Sequence, residues 1–211
     1  MREARLKHQA PARAFTLIEL LTVISIIAIL SAISLNVVKG VKERSAVGLA
    51  KAELAALSQA LEMYKLQYGD YPQTGGATNA SLSSTTASAT DAQGILFNAL
   101  TGKRGPLPAE TKIDGKAYVD LARFVLQSPT TMPASGANTV ANAFVDPWGN
   151  RYLYYYKTGT SAQWNTTPSY VLLSVGMDDA PTGVDTAPTV TTAGVVTPNT
   201  TYGDNDIYAN K

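Results

Sequence analysis

Residues Phe15–Val38 read FTLIELLTVISIIAILSAISLNVV, 24 positions in which Glu19 is the single charge. As a helix at 1.5 Å per residue this stretch covers roughly 36 Å, enough to cross a hydrocarbon core of ~30 Å, and it is a candidate membrane span. Before it stand residues 1–14, MREARLKHQAPARA, with Arg2, Arg5, Lys7 and Arg13 set against Glu3. They are too polar for the apolar core of a secretory signal. Positive charge just ahead of a span predicts a cytoplasmic leader, with the remainder of the chain crossing outward. Glu19 is the anomaly, because an acidic side chain at mid-span costs on the order of 2.5–3.5 kcal/mol on insertion scales. Either it sits close enough to the interface to reach water or it has a positive partner. The span encodes none, but cutting the chain between Ala14 and Phe15 creates one, a free α-amine at the head of the helix.

Beyond Val38 the pattern turns amphipathic. Ala50, Leu54, Leu57, Leu61, Tyr64 and Tyr68 recur at intervals of three and four, with Lys51, Glu53, Glu62 and Lys65 falling between them as a polar face. The spacing predicts one helix from residue 15 to about 68, roughly 80 Å long, with residues 39–70 as its amphipathic half. Gly40 and Gly48 are its weak points, each costing about 1 kcal/mol against Ala. Gly69 and Pro72 supply the stop.

Residues 71–211 are then a globular head. Thr74 to Gln93 is Ser, Thr, Ala and Gly with one charge, Asp91, and reads as a flexible insertion over 74–93; a Thr- and Pro-rich stretch makes a second over 180–202. Gly94–Leu100 and Tyr118–Leu126 are short apolar segments, small helices or a strand. Asp146-Pro147-Trp148-Gly149 forms a turn that leads into the aromatic run Tyr152–Tyr156, and Tyr170–Val175 follows as a second strand. The expected class is α+β: a long N-terminal α-helix packed on a small C-terminal antiparallel sheet.

Composition removes many functions. There is no cysteine, so disulfides, thiolate metal sites and cysteine nucleophiles are excluded, and the one histidine, His8, lies in the leader. Without a histidine in residues 15–211 there is no Ser-His-Asp relay and no imidazole base. Gly102-Lys103-Arg104 is no phosphate loop, since Phe97 stands where its first glycine is needed and no Ser or Thr follows Lys103. Seventeen basic and sixteen acidic residues leave a net charge of +1, so no nucleic-acid partner is expected. An enzyme is not expected either. The acidic residues gather late, at Asp178, Asp179, Asp185, Asp204 and Asp206. Oxygen-only ligands on loops suit calcium, although solvated turn residues have the same spacing, and no EF-hand pattern is present.

Arg13-Ala14-Phe15-Thr16-Leu17-Ile18-Glu19-Leu20 resembles the class III leader junction of the type IV pilins and type II secretion pseudopilins, with Ala14 where that family usually has Gly. The resemblance implies a pilin-like fold, removal of residues 1–14 by a prepilin peptidase that methylates the Phe15 amine, and Glu19 pairing with that amine on a neighbouring copy. It implies a single-pass protein of the bacterial inner membrane with a periplasmic head, resident in lipid before assembly into a helical homopolymer, with minor pseudopilins and an inner-membrane assembly platform as partners. Asp146-Pro147-Trp148-Gly149-Asn150 resembles a signature of the secretion pseudopilins, in which Trp148 pins sheet to helix. By the same resemblance Asp178, Asp204 and Asp206 are calcium ligands. The alternative role is a type IV pilin or minor pilin in adhesion, twitching or DNA uptake, and the missing cysteines and the Trp turn favour export.

Overall fold

The computed structural model describes residues 15–75, 77, 79, 88–106, 113–134, 139–156, 170–177, 189–190, 196–197 and 207–209, with backbone course alone at 33–39, 189–190 and 196–197. The chain divides into two units between Arg44 and Ser45. One helix, α1 (Leu17–Tyr68), contributes to both.

In the first unit the helix is apolar on every side. Its large side chains are all substantially exposed, from Val23 at 48% to Leu17 at 82%. A helix hydrophobic all round has no single face to bury, and such a helix belongs to a large core or a membrane. Among the described residues no helix is long and apolar enough to cross a membrane. The described apolar side chains run from Leu17 to Ala32, sixteen residues or roughly 24 Å, short of ~30 Å. Ile33–Val38, which complete the run in the sequence, lie outside the described side chains.

In the second unit the predicted stripe of α1 is the floor of the core: Ala50, Leu54, Leu57, Leu61 and Tyr64 are each under 2% exposed. The helix stops where Gly69 adopts φ +85°, a left-handed conformation that glycine takes without a Cβ penalty, and the Gly69 N–H donates to the Lys65 carbonyl at 2.7 Å. A second helix, α2 (Ala92–Leu100), is buried along its whole length. Its N-cap is Asp91, whose Oδ1 accepts from the Gly94 N–H at 2.6 Å.

The strands are short. β1 (Val125–Leu126), preceded by a 3₁₀ turn at Leu121–Arg123, pairs with β2 (Phe144–Val145). The main sheet is antiparallel, with β4 (Tyr170–Ser174) between β3 (Leu153–Tyr156) and β7 (Ile207–Tyr208); Tyr154 faces Leu172 and Ser174 faces Ile207. β5 (Thr189–Val190) and β6 (Val196–Thr197) form a separate pair. The α+β expectation holds.

Three local readings change. The 74–93 insertion is not loop throughout: α2 begins at Ala92, because the Asp91 cap starts it two residues before the apolar segment, and Gln93 is buried. Asn79 is also buried, its amide donating to the Tyr154 carbonyl at 3.0 Å and its Oδ1 accepting the Tyr154 N–H at 3.1 Å. Polar composition marks a loop but conceals one amide that pairs with a strand edge. Within 180–202, the β5–β6 pair is ordered strand. Finally, Glu53 belongs to the buried face and not to the polar one, at 6% exposure.

Candidate functional site

Two clusters concentrate polar groups, one in each unit. At the start of α1 the sequence Thr16-Leu17-Ile18-Glu19 forms a capping box. The Glu19 Oε2 accepts the Thr16 N–H at 2.9 Å and the Thr16 hydroxyl at 2.7 Å, while the Thr16 Oγ1 accepts the Glu19 N–H at 3.3 Å. This spacing satisfies amides that the first helical turn leaves open, and the carboxylate complements the positive end of the helix dipole. Glu19 therefore has a partner within its own chain, which reading the residue as a bare charge had missed; the signal was the Thr three positions before it. Phe15 is exposed at 79%, directly ahead of the box. Ala14 lies outside the described residues.

The second cluster is the turn between β2 and β3. Asp146 is 2% exposed and organises it: Oδ1 accepts the Trp148 and Asn150 N–H groups at 3.0 and 2.8 Å, and Oδ2 accepts the Ser174 hydroxyl at 2.6 Å. The Asp146 N–H donates to the Asn150 carbonyl and its own carbonyl accepts from Gly149, which adopts φ +96°. Asn150 then reaches the Gly176 carbonyl at 2.9 Å, tying the turn to the end of β4. Burial raises the Asp146 carboxyl above its ordinary pKa, opposed by the hydrogen bonds from Ser174, Asn150 and Trp148.

Trp148 is half-buried and packs at the margin of the core. The polar link from this region to α1 is made by Tyr152, whose hydroxyl donates to the Glu53 Oε2 at 2.5 Å. Burial is the main cause that lifts both groups, the Glu53 carboxyl and the Tyr152 phenol, above their usual pKa values. Aromatic hydroxyls also anchor the far end of the helix: Tyr156 donates to Asp70, Tyr71 to Glu62 and Tyr64 to the Arg104 carbonyl. Lys103 and Arg104, the one basic pair weighed for nucleic acid, are buried, and Lys103 is ion-paired with Asp114.

The calcium candidates Asp178, Asp204 and Asp206 lie outside the described residues. Among the described residues no group of three potential ligands could hold a metal ion.

An all-round apolar helical segment continuing into a half that floors an antiparallel sheet, with a capped acidic residue near its start, is a pilin-like fold. The family described as prokaryotic N-terminal methylation motif matches residues 10–35, and type II secretion system (T2SS), protein G matches residues 37–100. The chain is 29% identical over 171 residues to the type II secretion system core protein G of Pseudomonas aeruginosa, an alignment covering 81% of this chain and 87% of the relative. It is 40% identical over 62 residues to the core protein G of Escherichia coli, covering 29% of this chain and 43% of that relative, less than half its length. No solved structure matches. The chain is thus similar to type II secretion system protein G, locally through residues 37–100 and more distantly along most of its length.

Proposed function

We propose that the chain is the structural, non-catalytic subunit of a periplasmic pseudopilus, polymerising through the first half of α1 and driving protein export. The observation that carries this is the exposed apolar surface from Leu17 to Leu30, which no other part of the described chain covers. Patches of that extent mark association or membrane surfaces. Lipid covers it before assembly, with the head on the periplasmic side; neighbouring copies cover it afterwards.

In this reading a prepilin peptidase removes residues 1–14, cutting between Ala14 and Phe15, and methylates the new amine, which keeps its positive charge. The Glu19 carboxylate of one subunit then exchanges its Thr16 hydrogen bonds for the Phe15 ammonium of the next. A buried ion pair of this kind adds little net stability, but a slipped subunit leaves both charges unpaired in a dry surrounding, so the pair selects one stagger. Minor pseudopilins and an inner-membrane platform are the partners this assembly requires. Glu19→Ala is expected to insert in the membrane at normal levels and to yield no sheared filaments; filaments of normal yield from that variant overturn the reading. Exoprotein release measured in a deletion strain beside twitching and transformation separates export from the pilus alternative.

Calcium is part of the same proposal, with Asp178, Asp204 and Asp206 as ligands. In its support, the Ser174–Ile207 register brings the chain into β7 beside the point where it leaves β4. In the sequence Asp178 follows Ser174 by four residues and Asp206 immediately precedes Ile207. The donors are all hard oxygens, which calcium prefers, and the ion would cross-link the two segments. Saturating calcium is expected to raise the melting temperature by mass action on the folded state. Identical melting with calcium and with chelator removes the ion from the proposal.

A further inference from the structure

The buried stripe of α1 in the second unit is apolar at Ala50, Leu54, Leu57, Leu61 and Tyr64, yet Glu53 lies on the same face, three positions after Ala50 and four before Leu57. Its carboxylate accepts the Tyr152 hydroxyl, and no Lys or Arg among the described residues pairs with it; the ion pairs there join Lys103 to Asp114 and Arg151 to Asp91. The titratable groups acting on it come from the segment packed against the helix, Tyr152 and the Asp146 carboxylate of the turn, and Asp146 is itself tied to Ser174 of β4. A lone carboxylate held in this way, with one neutral donor and a second acid nearby, is favoured in its protonated form.

We propose that the buried Glu53 makes the contact between α1 and the turn-and-sheet layer a pH-sensitive latch, tighter when Glu53 is protonated and weakened when ionisation leaves a buried charge that the Tyr152 hydrogen bond offsets only in part. The latch belongs to the folded subunit and does not depend on how that subunit assembles. Burial, the largest cause, and the Asp146 charge raise the Glu53 pKa above the ordinary 4.5, while the Tyr152 hydroxyl lowers it. The folded state thus holds this proton more tightly than the unfolded state. The stability that protonation contributes is fully present below about pH 4.5, the unfolded value, and is lost as pH rises through the elevated folded pKa.

The test uses the full-length subunit in detergent micelles, melted from pH 4.5 to 8, with amide exchange followed at Leu54 and Leu57. Glu53→Gln retains an acceptor for Tyr152 but cannot ionise. It is expected to flatten the melting profile and to slow exchange at pH 8, by about tenfold for each pKa unit by which burial raises the native acid. Asp146 also has a raised pKa and contributes a slope of the same sign, which persists in Glu53→Gln, reduced by the loss of the neighbouring charge. Parallel profiles for wild type and Glu53→Gln overturn the latch. Tyr152→Phe removes the hydroxyl that favours the anion and so raises the native Glu53 pKa further. Its loss of stability is expected to begin at the same pH as in wild type but to extend to higher pH and to be larger, and a pH-dependent loss no larger than that of wild type also overturns the proposal.

Discussion

The two described stretches of α1 share a helix and oppose each other in design. From Leu17 to Leu30 the large side chains are all substantially exposed, whereas at Ala50, Leu54, Leu57, Leu61 and Tyr64 the same helix is sealed against the head. Both stretches are rich in aliphatic residues, so composition does not separate them. Periodicity does: the later stretch sets Lys51, Gln59, Glu62 and Lys65 on the side away from its apolar stripe, and a one-sided face can be completed by the chain itself. The earlier stretch offers the same surface in every direction, and one small sheet cannot enclose it. Its acidic residue is accommodated by a local capping box, while Glu53, the buried acid of the later stretch, is held by a tyrosine 99 positions away.

Truncation of side chains probes this contrast most strongly. Leu57→Ala is expected to cost about 2–5 kcal/mol through lost burial and the cavity left behind, lowering the melting temperature by on the order of 10 °C. Ile26→Ala, which removes similar surface from the exposed stretch, is expected to leave the head's melting point unchanged in micelles. Equal effects of the two would erase the distinction. A smaller loss is expected from Asp146→Ala, which strands two turn amides and the Ser174 hydroxyl without their acceptor and costs about 1–3 kcal/mol. Denaturant unfolding measures it, and a neutral result would show that the turn keeps its shape unaided. The smallest effect has the opposite sign. A Cβ built at Gly48 meets nothing within 4 Å, so Gly48→Ala is expected to stabilise the subunit by up to about 1 kcal/mol, read as a higher melting temperature.

Much of this architecture was visible in the residues. The buried stripe, the Gly69 stop, the Asp146–Gly149 turn and the two strands after it follow from spacing and turn chemistry, which act locally. Glu53 was misread because its neighbours in sequence are charged, although its offsets from Ala50 and Leu57 place it on the inner face. Side-chain polarity and helical phase conflict there, and the distant Tyr152 resolves the conflict in favour of phase. Asn79 gave no signal either, since an Asn among Ser and Thr is ordinary loop composition until a strand edge lies beside it. Asp146 was quoted as part of a turn, but its buried carboxylate depends on Ser174, and such pairings depend on tertiary contact alone.

The Asn79 amide repeats in one side chain the donor and acceptor that a neighbouring strand would offer Tyr154, and the Phe144 carbonyl takes the Tyr152 N–H in the same way. The outer margin of β3 is thus occupied at Tyr154 before any other molecule arrives. Open strand margins invite ribbon-like aggregation. A chain that leaves so much oily helix uncovered gains from denying its sheet a second route to self-association, and these three hydrogen bonds occupy backbone groups which that route would use.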